Sequence, residues 1–293
     1  MKIVQHTQEV RRAVREARAQ GKTVGLVPTM GALHEGHLSL MRAARKETGF
    51  VVASIFVNPT QFGPNEDFNR YPRALEADAR LCEGVGVDLV FAPEPREIYP
   101  DGFATYVVQS DLPDGLCGPH RPGHFRGVTT VVTKLFNIVQ PDVAYFGQKD
   151  YQQAAVIRRM VRDLDMPIEV RVMPIVREAD GLAMSSRNRY LSPAERERAL
   201  CLSRALTEAK KLADAGERST AALLDAMNRI VRPAVDKVDY ISIVHPETLR
   251  EVGDVSSGAV AAMAVWIGKT RLIDNMILSP ARSRQEKNVK RKT

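Results

Sequence analysis

The amino-acid sequence predicts an α/β protein: a Rossmann-like, doubly wound parallel sheet followed by a smaller C-terminal α+β domain. Up to residue 173, short apolar runs typical of buried strands alternate with segments of helical periodicity, which is the order that builds a parallel sheet. After residue 176, two helical segments precede three strand-like runs, an order that favours helices packed on an antiparallel sheet. We therefore expect a first domain over 1–175, a second domain over 176–280 and a basic, disordered tail over 281–293.

Each element of the first domain has its own signal. Segment 7–20 places Val10, Val14 and Ala17 on one helical stripe behind Thr7, a residue type that caps helices. The run at 50–57 is apolar on both faces, as a central parallel strand should be. The predicted helices are 7–20, 37–47, 73–84, 126–139 and 151–164, and the predicted strands are 23–27, 50–57, 88–91, 142–146 and 168–173.

The rest of the chain departs from this alternation. Residues 93–125 are irregular apart from a strand-like piece at Thr105–Gln109, and the prolines and glycines of 118–125 predict a mobile loop. The sequence shows no internal repeat. In the second domain the predicted helices are 193–214 and 218–231, and the predicted strands are 237–244, 259–267 and 270–278.

The net charge of +7 is concentrated at the C-terminus. From Ala281 to Thr293 six residues are Lys or Arg and Glu286 is the one acid, whereas positions 1–280 hold 36 basic and 34 acidic residues. A nearly neutral body argues against a nucleic-acid-binding protein, and a short basic tail is typically solvated and disordered. RNA contact by the tail is the minority alternative.

Composition argues against membrane and secreted proteins. Hydrophobic residues make up 44% of the chain and charged residues 26%, the balance of a soluble globular protein. The longest apolar run, 259–267, is too short to span a bilayer, and the polar stretch 1–20 lacks the pattern of a signal peptide. Cys82, Cys117 and Cys201 form no C-x-x-C pair, which predicts reduced thiols in a cytoplasmic protein.

The most informative stretch is V-P-T-M-G-A-L-H-E-G-H at 27–37, which joins the first strand of the alternation to a helix. Glycines in such a turn let the backbone approach a ligand, and free N–H groups at the helix start favour an anion, as does the helix dipole. Two imidazoles, His34 and His37, lie in the same turn. We therefore expect an anion pocket here, with a pair of histidines that merely satisfy the helix cap as the alternative.

Two familiar motifs do not fit this turn. Gly31 and Gly36 have the spacing of a Walker phosphate loop, but His37-Leu38 follows where that motif has Lys and then Ser or Thr. The histidines of zinc proteases are four residues apart on one helix face, whereas the separation here is three. A Walker loop is therefore excluded, and a metal site is disfavoured.

Other loops carry polar residues suited to the same ligand. In Lys149-Asp150 the lysine can reach a phosphate, and the aspartate can hold magnesium or a ribose hydroxyl group. The hydroxyls and guanidinium of 184–187 can clamp a triphosphate, and Gln61 and Gln153 can orient a small polar substrate. Taken singly, each is better explained as a solvated pair, an interdomain loop or a surface amide.

The position of these loops in the predicted fold favours the functional interpretation. The loops at 28–36, 58–66 and 147–150 each follow a predicted strand. Since ligands of open α/β sheets bind outside the carboxyl ends of the strands, the three loops belong to the edge where a ligand is expected.

Four motifs carry a family resemblance. In chain order they read V-P-T-M-G-A-L-H-E-G-H, F-V-N-P-T-Q-F-G-P-N-E-D-F, Y-F-G-Q-K-D-Y-Q-Q and A-M-S-S-R-N-R-Y-L. The first contains H-x-G-H and resembles the signature of class I nucleotidylyl-transferring enzymes, and together the four resemble the pantoate–β-alanine ligase family from about residue 3 to 280. The resemblance implies that ATP and pantoate form pantoyl adenylate and pyrophosphate, after which β-alanine attacks to give pantothenate and AMP.

The resemblance also implies residue roles. His37 would be the catalytic proton donor, and His34 and Lys149 would act on the phosphates. Gln61 would bind pantoate and β-alanine, and Gln153 would bind pantoate. The ATP site would comprise Met30, Gly31, Ala32, Leu33, His34, Glu35, Gly36, His37, Gly147, Gln148, Lys149, Asp150, Val176, Met184, Ser185, Ser186 and Arg187.

The implied partners are small molecules: ATP as a substrate, pantoate and β-alanine, with Mg²⁺ carried mainly by the ATP phosphates and Asp150 as its candidate protein ligand. The resemblance further implies a homodimer, with the second domain as a lid and 184–187 corresponding to the K-M-S-K-S loop of class I tRNA synthetases. The alternatives are a nucleotidylyltransferase acting on a phosphorylated acceptor, a tRNA-charging enzyme and a non-catalytic binding module. The nearly neutral body and the lack of room for an anticodon-binding domain argue against the tRNA-charging enzyme.

Overall fold

The computed structural model describes residues 1–64 and 66–278. The described part of the chain divides into two compact units: residues 1–177 with 184–186 form the first, and residues 178–183 with 187–278 form the second. The predicted tail at 281–293 lies outside the described residues, and the predicted domain boundary at 175/176 stays a prediction.

The first unit is built on a six-stranded sheet in which every strand pair is parallel. Its strands are β1 (Lys2–Val4), β2 (Val24–Thr29), β3 (Phe50–Ile55), β4 (Leu89–Phe91), β5 (Val143–Gly147) and β6 (Glu169–Met173). Their order across the sheet is β1-β4-β3-β2-β5-β6, so the chain proceeds in one direction from β2 and in the other from β5. The junction of β2 and β5 is therefore the topological switch point, outside which α/β proteins bind ligands.

Helices cover both faces of this sheet. They are α1 (Thr7–Ala19), α2 (Glu35–Glu47), α3 (Leu75–Gly84), the single turn α4 (Pro95–Ile98), α5 (His124–Val139) and α6 (Tyr151–Asp163). Alternate strand residues serve alternate faces: Leu26 packs in a core with α1, α5 and α6, whereas Val27 packs in a second core with α2 and α3. Because both faces are apolar, the predicted doubly wound α/β fold is confirmed.

One predicted strand is wrong. Thr105–Gln109 forms no strand, although its partly buried Val107 and Gln109 follow exposed residues in alternation, as in a strand. Its backbone is bonded by side chains instead: the Val107 N–H donates to Thr130 Oγ1 at 3.0 Å, and the Val107 carbonyl accepts from Thr129 Oγ1 at 2.6 Å. Two threonines of α5 thus take the backbone hydrogen bonds at Val107 that a neighbouring strand would otherwise supply.

Several boundaries of the first unit also differ from the predictions. Strand β1 escaped notice because three residues are too few to show a period. Helix α1 is capped by His6 rather than Thr7, and the Thr7 N–H donates to Glu97 Oε1 at 2.8 Å. Helix α5 begins at His124, inside the stretch predicted as a mobile loop.

The second unit packs helices on a three-stranded antiparallel sheet, as predicted. Its helices are α7 (Pro193–Ala199), α8 (Cys201–Ala215) and α9 (Thr220–Val231), and its strands are β7 (Lys237–Val244), β8 (Ala259–Ile267) and β9 (Thr270–Leu278). Leu206 and Met227 of the helices share one core with Met263 of the central strand. The single helix predicted at 193–214 is two helices, because a tight turn at Leu200 interrupts it without disturbing the apolar period.

Two observations bear on the prediction that this is neither a membrane protein nor a secreted one. Over residues 1–64 and 66–278, no helix combines the length and the apolar character needed to cross a membrane. Cys82, Cys117 and Cys201 are buried and form no disulfide. Burial, with a smaller effect of the Asp78 charge, raises the pKa of Cys82 to about 12, and burial raises that of Cys201 to about 11, so these two thiols are poor nucleophiles at neutral pH.

The Tyr145→Phe variant tests the attachment of α2 to the sheet. Tyr145 is a core residue of β5 whose hydroxyl donates to Glu47 Oε2, at the end of α2, at 2.9 Å. We expect the variant to lower the free energy of unfolding by about 1 kcal/mol, the usual net value of one hydrogen bond. Urea denaturation measures this loss. If Glu47→Ala cost the same free energy in the Tyr145→Phe background as in the wild type, the bond would contribute nothing.

Candidate active site

The turn between β2 and α2 is formed by two consecutive residues with positive φ. Gly31 has φ 79° and Ala32 has φ 51°, a conformation that costs a residue with a Cβ on the order of 1 kcal/mol. Thr29 fixes the entry to this turn, since its hydroxyl accepts from the Gly31 N–H at 3.2 Å and donates to the Ser54 carbonyl at 2.7 Å. A conformation of this cost persists because surrounding bonds hold it.

The backbone N–H groups of this turn are used within the protein. Besides Gly31, the next two residues donate to one buried carboxylate: the Ala32 N–H to Asp78 Oδ2 and the Leu33 N–H to Asp78 Oδ1, each at 2.8 Å. The expectation of free N–H groups in an anion pocket is therefore wrong for these residues. Sequence reasoning missed Asp78 because an acid in the first turn of a helix is more often an exposed residue.

The two histidines cap α2 with one ring nitrogen each. His34 Nδ1 accepts from the Gly36 N–H at 3.1 Å, and His37 Nδ1 accepts from the His34 N–H at 3.3 Å. The ring centroids are 4.1 Å apart. Since each Nδ1 is an acceptor, this bonding pattern assigns the proton of each neutral ring to Nε2. Capping of α2 thus accounts for the Nδ1 atom of each imidazole and leaves the role of Nε2 open.

His37 carries no charge in the unliganded protein at neutral pH. Burial, followed by the charges of His34 and Lys149, lowers the pKa of His37 to about 3. β5 lies beside β2 in the parallel sheet, so the loop that carries Lys149 and the turn that carries the histidines leave the same edge of the sheet.

The loop after β5 is a single 3₁₀ turn, Gln148–Asp150, between the end of β5 at Gly147 and the start of α6 at Tyr151. Asp150 is exposed, and Gln148 and Lys149 are partly buried. The switch point lies between β2 and β5. The predicted ATP-site residues of the loop after β5 therefore lie on one side of it, and the H-x-G-H turn after β2 lies on the other; these loop residues are Gly147, Gln148, Lys149 and Asp150.

Gln61 links the loop after β3 to the same region. It ends a 3₁₀ turn, Pro59–Gln61, and is 8% exposed. Its Oε1 accepts from Asn58 Nδ2 at 2.9 Å, and its Nε2 donates to Met30 Sδ at 3.2 Å. The amide is therefore oriented, with its NH₂ end toward the turn after β2.

Asn58 is a positioned residue that sequence reasoning did not single out. It is 1% exposed, and besides Gln61 its Nδ2 donates to the Gly127 carbonyl at 3.1 Å. Its Oδ1 accepts from the hydroxyls of Tyr99 at 2.8 Å and Thr60 at 3.0 Å. An asparagine before a proline is read as a turn residue, and the partners that reveal its role are distant in sequence.

A partly buried network supports Gln61 from the other side. Arg121 donates to both carboxylate oxygens of Glu66 at 2.7 and 2.6 Å, and to His124 Nε2 at 3.0 Å. His124, which is 8% exposed, then donates from Nδ1 to the Gln61 carbonyl at 2.9 Å. Burial and the Arg121 charge lower the pKa of His124 to about 4, and Asp150 contributes a smaller opposing effect. Within the predicted loop 118–125, these two residues are held by defined bonds.

The two glutamines at the start of α6 have different positions. Gln152 is buried, and its amide donates to the Leu112 and Gly115 carbonyls at 2.8 Å each and accepts from the Cys117 N–H at 2.9 Å. Gln153 lies in the same first turn and is partly buried. Gln152 therefore has a structural task, which leaves Gln153 as the substrate candidate of the pair.

The fourth motif is divided between the units. Met184, Ser185 and Ser186 belong to the first unit, where the Met184 N–H donates to the Val176 carbonyl at 3.0 Å. Ser186 Oγ lies 3.4 Å from the Tyr71 hydroxyl, and Met184 borders Gly36, since a Cβ built on Gly36 would lie 3.8 Å from Met184 Cβ. Arg187 belongs to the second unit, and its assignment to the ATP site stays a prediction.

No group of three or more His, Cys, Asp or Glu side chains in the described ranges is arranged to hold a metal ion. Asp150 is an exposed carboxylate in the loop that carries Lys149. A single carboxylate suits Mg²⁺ that reaches a site on substrate phosphates and keeps several of its waters.

Contacts and charge effects thus bring three predicted loops together at the carboxyl edge of the sheet. Met30 meets Gln61, Lys149 acts on His37, and Asp150 acts on His124. A doubly wound sheet with an H-x-G-H turn at its switch point defines a nucleotide-binding α/β protein of the H-x-G-H class.

The comparisons identify the family within this class. The profile of the pantoate-beta-alanine ligase family matches residues 2–277. A pantothenate synthetase of Moorella thermoacetica is 58% identical over 279 residues, covering 95% of this chain and 99% of that protein. One of Fervidobacterium nodosum is 55% identical over 279 residues, covering 95% of this chain and all of that protein. The chain belongs to the pantoate–β-alanine ligase family.

Solved structures agree in fold. The crystal structure of pantothenate synthetase from Thermus thermophilus superposes with a TM-score of 0.91 at 51% identity, covering 96% of this chain and all of that one. A pantoate-beta-alanine ligase from Francisella tularensis, crystallised with beta-gamma ATP and beta-alanine, gives a TM-score of 0.79 at 34% identity, covering 95% of this chain and 98% of that one. The fold predicted from sequence is that of these enzymes.

The Gly127→Ala variant tests the close packing of α5 against the Gln61 turn. A Cβ at Gly127 would lie 2.4 Å from the Thr60 carbonyl oxygen and 2.7 Å from Gln61 Cα, both of them backbone atoms. We expect the free energy of unfolding to fall by about 1–3 kcal/mol, as for other overpacked sites. Thermal or urea denaturation measures the change. Gly84→Ala, where a Cβ meets nothing within 4 Å, is the control and should not destabilise; equal losses in both variants would contradict the steric account.

The His124→Asn variant tests the pH dependence of stability. The pKa of His124 is about 4 in the folded protein and about 6.5 in the unfolded chain, so the unfolded state binds the proton first as the pH falls. Stability that is present above pH 6.5 is therefore lost as the pH falls toward 4. Asparagine can keep the bond to the Gln61 carbonyl without titrating.

Between pH 7 and pH 5 we expect the wild type to lose about 1–2 kcal/mol more unfolding free energy than His124→Asn, measured by urea denaturation at each pH. The difference between the two proteins isolates His124 from the other groups that titrate, His37 among them. If the unfolding free energies of the two proteins changed equally with pH, the pKa of His124 would be the same in the folded and unfolded states, which would contradict the prediction.

Proposed function

We propose that this protein condenses pantoate with β-alanine in an ATP-dependent reaction that passes through pantoyl adenylate and releases pyrophosphate and AMP. The family membership of nearly the whole chain supports the overall reaction. The observation that carries the site assignment is the convergence of the H-x-G-H histidines, Lys149 and Gln61 at the switch point. A relative crystallised with an ATP analogue and beta-alanine is consistent with both substrates.

In the first step a pantoate carboxylate oxygen attacks the α-phosphorus of ATP in line, and the bond from that phosphorus to pyrophosphate breaks. Little covalent chemistry falls to the protein here, so its task is to position the reactants and to neutralise charge on the leaving group. Lys149 supplies a positive charge for this, and the two imidazoles supply hydrogen bonds. We assign pantoate to Gln61 and Gln153, whose amides suit a small polar substrate.

We propose that His37 acts as a neutral hydrogen-bond donor rather than as the proton donor that the family resemblance implies. Its pKa of about 3 leaves it uncharged before ATP binds. Its Nδ1 is occupied by the His34 N–H, so the Nε2–H is the group available to the pyrophosphate oxygens. A neutral donor stabilises charge without a proton transfer, which suits pyrophosphate, a leaving group that needs no protonation to depart.

We further propose that Mg²⁺ accompanies ATP, held mainly by the phosphates with Asp150 as the candidate protein ligand. The ion supplies charge neutralisation on the phosphate oxygens when it is bound. In the second step the amine of β-alanine attacks the acyl carbon, and the bond to AMP breaks. An acyl adenylate hydrolyses readily, so we assign the second domain, with Arg187, the role of a lid that excludes water.

The proposal extends to the oligomeric state and the location of the protein. We propose a homodimer, which sedimentation in dilute solution would test. We also propose a cytoplasmic location, which agrees with three buried cysteines that form no disulfide. The partners are the small-molecule substrates, with neither nucleic acid nor membrane among them.

The experiment that tests the function is pantoate-dependent exchange of labelled pyrophosphate into ATP, with magnesium and without β-alanine. Exchange that requires pantoate supports reversible adenylate formation. Pantothenate formed on addition of β-alanine, without any prior exchange, would instead indicate a concerted route. Absence of both activities would favour a nucleotidylyltransferase that acts on a phosphorylated acceptor.

The His37→Ala and Lys149→Ala variants test the charge-stabilising roles. We expect each to lower the single-turnover rate of adenylate formation by roughly 10²–10³-fold, the scale for losing one such donor. Rapid-quench measurement of pantoyl adenylate at saturating ATP gives this rate. Lys210→Ala, which removes an exposed lysine paired with Asp214, is the control and should keep the wild-type rate. Rates within a few-fold of wild type for His37→Ala or Lys149→Ala would reject the assigned role.

A further inference from the structure

We infer that Asp78 is a positioning residue of this active site: its carboxylate sets the conformation of the turn at 30–33 and thereby the orientation of His34 and His37. The inference rests on the proposed function, since it specifies how the histidines of that site are held. Asp78 itself is assigned no contact with substrate.

The geometry is that of a two-pronged clamp. Asp78 lies in the first turn of α3 and is 3% exposed. Each of its carboxylate oxygens accepts one backbone N–H of the turn, Oδ2 from Ala32 and Oδ1 from Leu33, both at 2.8 Å. Hydrogen bonds to an ionised acceptor are roughly twice as strong as neutral ones, so the pair restrains two successive peptide groups together.

This clamp matches an unusual backbone. Consecutive left-handed residues, Gly31 and Ala32, direct neighbouring N–H groups to the same side, and a carboxylate supplies the two acceptors that such a pair requires. The approach is also close, because a Cβ built on Gly31 would lie 2.8 Å from Asp78 Oδ2. A glycine at this position therefore serves the carboxylate behind the turn as well as the backbone conformation.

The electrostatics support a positioning role over a ligand-binding one. A buried carboxylate is costly to desolvate, and behind a turn assigned to triphosphate it repels the ligand. It also occupies N–H groups that could otherwise bind phosphate. Its compensating contribution is to the position of His34, which follows Leu33 directly and caps α2. With the backbone N–H groups occupied by Asp78, the phosphates would be bound by His34 and His37, whose orientation the clamp sets.

The Asp78→Asn variant removes one prong, because the amide presents a donor where one backbone N–H needs an acceptor. Asp88→Asn is the matched control: Asp88 is another structural aspartate, whose Oδ2 accepts from the Val51 N–H at 2.7 Å and from Arg45 at 2.7 Å, at the amino end of β3, away from the site. Melting temperature, kcat and the KM for ATP in pantoate-dependent pyrophosphate exchange are measured for both variants.

We expect both variants to melt at lower temperature, but only Asp78→Asn to lose activity, with kcat about 10–100-fold lower and a smaller change in the KM for ATP. A misplacement of about 1 Å has consequences of this size in active sites. A kcat of Asp78→Asn within twofold of wild type, or an equal loss in Asp88→Asn, would overturn the inference.

Hydrogen exchange on the wild-type protein provides a test that requires neither a folded variant nor activity. The amide protons of Ala32 and Leu33 should exchange at least about 100-fold more slowly than in an unstructured peptide, because both are bonded to a buried group. Unprotected amides at these two residues would overturn the inference. Absence of pyrophosphate exchange in the wild type would reject the proposed function and leave this test of the clamp intact.

Discussion

The structure depends on the parallel pairing of β2 with β3 on one side and with β5 on the other. Gly25 and Leu26 pair with Val51 and Val52 as well as with Val143 and Ala144, so the three strands run in register and end at one edge. Loops that are distant in sequence must then begin side by side. Apolar residues on both faces of these strands hold the arrangement, since helices can bury each face. The position of the candidate site therefore follows from the strand order that lets helices bury both faces of the sheet.

The protein holds the turns of the candidate active site with side chains that bond to their backbone. A carboxylate occupies two N–H groups of the first turn, imidazoles cap the following helix, and Asn58 orients the amide of Gln61. The consequence is that a ligand at this edge meets oriented side chains instead of a nest of peptide N–H groups. A lowered pKa at His37 follows from the same enclosure, because burial disfavours its charged form.

Sequence patterns predicted the order of the elements, the sheet type and the loops that meet, because periodicity and strand-to-helix turns are local signals. They predicted less well where the cause is tertiary. The backbone at Val107 is bonded by threonines of α5 instead of by a strand, and the break at Leu200 leaves the helical period unchanged. Asp78 and His124 were missed as supports of the site because their partners lie more than 40 residues away along the chain.

The central claim, that the carboxylate of pantoate attacks the α-phosphorus of ATP at this edge, is tested most directly by following oxygen. Pantoate labelled with ¹⁸O in both carboxylate positions is converted with ATP and β-alanine, and the products are analysed by mass spectrometry. The account predicts one labelled oxygen in AMP, because the acyl carbon–oxygen bond breaks in the second step. Label in inorganic phosphate, or unlabelled AMP, would contradict it and point to activation through another phosphorus or through none.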